Sequence, residues 1–81
     1  MRKTLQKKET TFFITELDRE EDGRWIAEIP DIPGAMAYGV TKSEALRRVY
    51  AIALRTLADT VERGSIPPLV SHLLGHGMAR R

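Results

Sequence analysis

The stretch TKSEALRRVYAIALRTLADTVERG, Thr41 to Gly64, constrains the fold more than any other part of the chain. Thr41 followed three residues later by Glu44 is a capping-box signature, in which a hydroxyl and a carboxylate satisfy amides left open at a helix start. Gly64 stands where a left-handed C-terminal cap belongs. Between them Leu46, Val49, Tyr50, Ala53, Leu54, Leu57 and Val61 recur at helical spacing. Glu44, Arg48, Arg55, Asp59 and Glu62 occupy the other side, and Glu44–Arg48 and Arg55–Asp59 are i,i+4 pairs. Ala45 and Ile52 fall outside the main stripe, and Ile52 hints at a second contact surface. A lone amphipathic helix needs an apolar layer to lie on.

The residues before it supply a sheet. TTFFITEL, Thr10 to Leu17, is rich in β-branched and aromatic residues and reads as the first strand. Asp22-Gly23, within the acidic run DREEDGR, suits a two-residue type I′ hairpin turn. RWIAEI, Arg24 to Ile29, reads as the second strand, with Trp25, Ala27 and Ile29 on one face and Ile26 and Glu28 on the other. Pro30 has no N–H and cannot continue an internal ladder. Pro33-Gly34 suits the centre of a type II turn, because proline presets φ and glycine accepts a positive one. AMAYGV, Ala35 to Val40 and including Gly39, reads as the third strand.

After the helix, Pro67-Pro68 is a stiff connector. LVSHLL, Leu69 to Leu74, reads as a short final strand, with a helical turn as the alternative. The expectation is an α+β fold of order β-β-β-α-β. It comprises a three-stranded antiparallel sheet, one long amphipathic helix packed on it and a short C-terminal strand. Residues 10–74 form a single domain in this reading, between a flexible basic N-terminus (1–9) and a flexible tail (75–81).

A chain of 81 residues has a small core, and with no cysteine it has neither disulfides nor thiolate metal ligands to reinforce it. Oligomerisation is the remaining common stabiliser, so a homo-dimer or homo-tetramer is expected. The net charge is only +2. The positive charge concentrates at the ends, with Arg2, Lys3, Lys7 and Lys8 in front and Arg80 and Arg81 behind. That distribution fits solvated termini better than the basic stripe of a nucleic-acid binder. No run is long and apolar enough to span a bilayer, and the charged start lacks the apolar core of a secretory signal. The expectation is a cytoplasmic protein.

Catalytic constellations are weak. His72 and His76 stand four apart, but Gly75 and Gly77 weaken a helix there and no third ligand is near. Asp18, Glu20, Glu21 and Asp22 lack the ligand order of a calcium loop, so they read as a wet hairpin tip. Glu16, Asp18, Glu28 and Asp31 lie on or beside neighbouring strands. Paired carboxylates of this kind hold metals in nucleases, and Glu16 and Glu28 meet in only one register. Ser43, Ser65 and Ser71 have no base partner. No cofactor or metal is expected. Phe12, Phe13, Trp25 and Tyr38 are strand aromatics, which more often serve as core or interface anchors than as base-stacking platforms.

EEDGRWIAEIPDIPGAMAYGVTKSEAL, Glu20 to Leu46, resembles the signature of the HicB-like antitoxin family. The matching pieces are Asp22-Gly23, Trp25 to Pro30, Asp31 to Gly34, Gly39, Thr41 and Glu44-Ala45-Leu46, within a likeness covering about residues 11–66. The resemblance implies a partial ribonuclease-H-like fold and a role in binding and blocking a small messenger-RNA-cleaving toxin of the HicA type. Members commonly add a segment that binds operator DNA. Here only residues 75–81 follow Leu74, so direct DNA binding is not expected. The contact surface expected for a basic toxin combines Trp25, Met36 and Tyr38 with the carboxylates of Glu20, Glu21, Asp22 and Asp31. Two alternatives remain: a stand-alone homo-oligomeric module, and a metal-dependent nuclease using Glu16, Asp18 and Glu28.

Overall fold

A computed structural model describes residues 13–75. Its elements are strands β1 (Glu16–Arg19), β2 (Trp25–Glu28) and β3 (Met36–Gly39), then helices α1 (Lys42–Glu62) and α2 (Pro68–Leu74). The strands form an antiparallel sheet in the order β1-β2-β3, and α1 lies across β2 and β3. The fold is thus α+β, a three-stranded antiparallel sheet under one long helix. Basic residues 1–9 and most of the tail lie outside the described residues, as do Thr10 to Phe12 of the expected first strand.

Local chemistry explains each join. At the first hairpin Gly23 N–H donates to the Glu20 carbonyl at 2.9 Å, and Glu20 N–H to the Arg24 carbonyl at 2.8 Å. Gly23 takes φ +94°. This is a three-residue connection ending in a left-handed glycine, in place of the expected two-residue turn. Between β2 and β3 two tight turns follow each other. Ile32 N–H bonds the Ile29 carbonyl at 3.0 Å, and Ala35 N–H bonds the Ile32 carbonyl at 3.1 Å. The second turn holds Pro33 and Gly34 at its centre, with Gly34 at φ +79°, as a type II turn requires. The pair of turns drives Ile29 and Ile32 into the core, where they are 5% and 4% exposed.

β1 is shorter at its start and longer at its end than expected. Glu16 pairs with Glu28, and beyond that point β2 has already ended before Pro30, so residues 13–15 have no ladder partner there. Thr41 caps α1 by accepting from Glu44 N–H at 3.1 Å, while the Glu44 carboxylate accepts from Val40 N–H at 2.7 Å. At the other end Gly64 N–H bonds the Val61 carbonyl and Ser65 N–H the Thr60 carbonyl, the paired bonds of a Schellman cap.

Two further expectations are corrected. Leu69–Leu74 belongs to α2 and is not a final strand. Pro67 is extended and Pro68 sits at the first helical position, where a missing N–H costs nothing, so the proline pair starts a helix. The buried side of α1 is also rotated from the expected stripe. Ala45, Val49 and Ala53 are buried and Ile52 packs against them, while Tyr50, Leu54 and Val61 are exposed. The helix turns its small residues to the sheet because the sheet offers small residues back: Ala27, Ala35 and Ala37. A Cβ on Gly39 would lie 2.5 Å from the Ala45 nitrogen, so glycine is what permits the close approach.

Candidate functional site

The covered face of the sheet leaves its opposite face as the candidate site. Register places Glu16 opposite Glu28 and Glu28 opposite Met36, then Asp18 opposite Ile26 and Ile26 opposite Tyr38. Because strand side chains alternate, these six share the face away from α1. Met36 is 47% exposed and Tyr38 half-buried. Charge changes from this face to the β3 edge, where α1 approaches. Glu16, Asp18 and Glu28 lie on β1 and β2, while Arg48 and Arg55 flank a shallow cavity of about 370 Å³ beside Met36 and Tyr38 on β3.

Tyr38 is held from two directions. The Arg24 guanidinium lies 4.3 Å from its ring centroid. Arg24 is itself fixed by Asp22, which accepts from Arg24 Nε at 2.8 Å and from Arg24 N–H at 3.0 Å. The Arg24 backbone N–H, followed by its guanidinium, holds the Asp22 carboxyl below its ordinary pKa. On the other side the Tyr38 carbonyl accepts from Arg48 Nη1 at 3.0 Å, and Arg48 pairs with Glu44 at 2.9 Å. The expected Arg55–Asp59 pair is replaced by Arg63–Asp59 at 3.1 Å.

The expected contact residues therefore divide. Asp22 and Tyr38 are brought together through Arg24, a residue sequence reasoning missed. Its signal was parity: Arg24 is an even step from Ile26, the residue opposite Tyr38. Trp25 lies on the other face, at the rim of the helix–sheet layer. There Arg19 and Lys42 each place a cation 5.1 Å from its ring. Glu20, Glu21 and Asp22 sit at the hairpin tip with Arg19, while exposed Asp31 lies in the turns at the opposite end of β2. The acidic residues thus form two separate spots.

The register that sets Glu16 opposite Glu28 is the one a carboxylate pair needs. Among the described residues, no group of three or more His, Asp or Glu side chains is placed to hold a metal ion. His72 lies in α2, and His76 falls outside the described residues. No helix among the described residues is long and apolar enough to cross a membrane. No family model matches this chain, and no curated protein or solved structure does either.

Proposed function

We propose that the chain is an antitoxin-like binding module, working in the cytoplasm, that holds a small basic RNA-cleaving toxin of the HicA type by protein–protein contact. The observation that carries this reading is the uncovered sheet face. Tyr38 is pinned there by Arg24, next to Met36 and Ile26, with three carboxylates alongside. A pinned aromatic loses little freedom on binding, and aromatics are the usual anchors of interfaces. The carboxylates of β1 and β2 suit a basic partner and speed its encounter. The motif run supports the same reading.

Titration calorimetry tests it, using a HicA-type toxin inactivated at its catalytic histidine. Tyr38→Ala is expected to weaken binding by about 2 kcal/mol, the scale of an interface hot spot. Asp31→Lys is expected to weaken it less. Removing residues 1–8 should leave the affinity unchanged. If that deletion abolishes binding and the sheet variants do not, the contact surface is wrongly assigned. Incubation of the pure protein with RNA and Mg²⁺ separates the nuclease alternative. Cleavage that vanishes in Glu16→Gln or Glu28→Gln would replace the binding reading with a catalytic one.

A further inference from the structure

The outer side of α1 carries a second uncovered surface, unrelated to the sheet face. Tyr50, Leu54 and Val61 are 47%, 65% and 37% exposed, and Ala58 stands among them. Their spacing of four, four and three residues aligns them in one stripe along the helix. The stripe continues into an apolar cavity of about 380 Å³, whose walls include Phe13, Ile32, Tyr50, Leu54 and Leu69. The apolar arc of α1 is therefore wider than the sheet can cover.

The stripe is complementary to itself. Two copies of α1 packed antiparallel about a two-fold axis at Leu54 bring each residue opposite the one equally far on the other side of position 54. Tyr50 then faces Ala58 of the second copy, so a large side chain meets a small one. Arg47 faces the Val61–Glu62 step of the second copy, so a cation meets an anion at each end. Arg47 and Glu62 are both exposed, and neither forms a salt bridge within the described residues. A two-fold interface requires this kind of self-complementarity, and a surface for an unrelated partner does not.

We infer that the Tyr50–Leu54–Ala58–Val61 stripe of α1 is a homodimer interface, two copies packing antiparallel about Leu54 with Arg47–Glu62 ion pairs at both ends. This arrangement leaves the outer sheet face of each copy free. It does not rest on the toxin-binding reading, and its test contains no toxin.

Sedimentation equilibrium of the full chain across the micromolar range gives the answer. The chain is expected to sediment as a dimer. Leu54→Glu sets two carboxylates at the axis and should weaken association about a hundredfold, with circular dichroism unchanged because Leu54 is exposed. Arg47→Glu and Glu62→Arg should each weaken it about tenfold. Combined, they should restore it to within about threefold of the parent, because the ion pairs are rebuilt with reversed polarity. A monomer throughout, a dimer indifferent to Leu54→Glu, or a double exchange no better than the single ones overturns the interface.

Discussion

The two faces of this sheet are built on opposite rules. The covered face presents Ala27, Ala37 and Gly39 from the strands, and Ala45 and Ala53 answer them from α1. The uncovered face presents Ile26, Met36 and Tyr38. Aromatic and large aliphatic side chains usually mark a core. Here, beneath the middle of the helix, size marks the side without it, and Trp25 stays at the rim of the covered face. The reason is distance. A glycine and several alanines bring the helix backbone so near the strands that no large side chain fits under its middle. The core is completed by Ile29 and Ile32 in the turns at its margin and by Val49, which stands between Ala45 and Ala53 on the helix. The large residues on the outer face are the ones the proposed contact uses.

This contrast breaks or sharpens by substitution on each face. The largest effect is expected at Gly39. In Gly39→Val the new Cβ meets backbone atoms of Glu44 and Ala45, which cannot rotate away. Overpacking of this kind costs about 3 kcal/mol, and the helix start should lift from the sheet. Urea unfolding measures it, and a loss under about 1 kcal/mol would mean the layers are looser than described. Ile32→Ala comes next. It removes a 4% exposed side chain whose place is set by two successive turns, at a cost of about 2–3 kcal/mol. Tyr38→Ala should cost under about 1 kcal/mol in the same assay, because its ring is held only by Arg24 and by neighbours on an open face. A loss equal to that of Ile32→Ala would make Tyr38 a structural residue and remove its standing as a contact anchor.

What the amino-acid sequence made readable was what is decided within a few residues. The Pro33-Gly34 turn, the Thr41–Glu44 cap and the Gly64 cap each close through short-range hydrogen bonds, and each formed where expected. Choices between equivalent partners were not readable. Asp59 has an arginine four residues away on either side, and only the folded chain selects Arg63 over Arg55. An apolar arc wider than half the helix does not say which part faces the sheet. Ala45 looked peripheral and is fully buried, while Leu54 looked central and is exposed. For the candidate site, alternation already separated Trp25 from Ile26. Placing Tyr38 with Ile26 required the register between β2 and β3, which no single strand contains. Arg24 became visible as part of the site only once that register was known.

The smallest expected effect concerns how firmly Tyr38 is held, and it depends on pH. Asp22 lies at the hairpin tip and fixes Arg24 over the Tyr38 ring. The Arg24 N–H bond to its carboxylate, together with the guanidinium, lowers the Asp22 pKa in the folded state from 3.8. The unfolded chain binds that proton more readily than the folded one. The interaction therefore contributes in full above the unfolded pKa and is lost as pH falls through the folded value. Asp22 is exposed, so the contribution is small and screened by salt. Asp22→Asn should lower the unfolding midpoint slightly at neutral pH, and its difference from the parent should close in acid. Carboxyl-detected NMR titration supplies the direct check, with an Asp22 midpoint below 3.8 and Tyr38 ring signals moving with it. If the Tyr38 signals ignore that titration, Arg24 does not link the hairpin tip to the outer face, and the acidic loop and the aromatic are independent features.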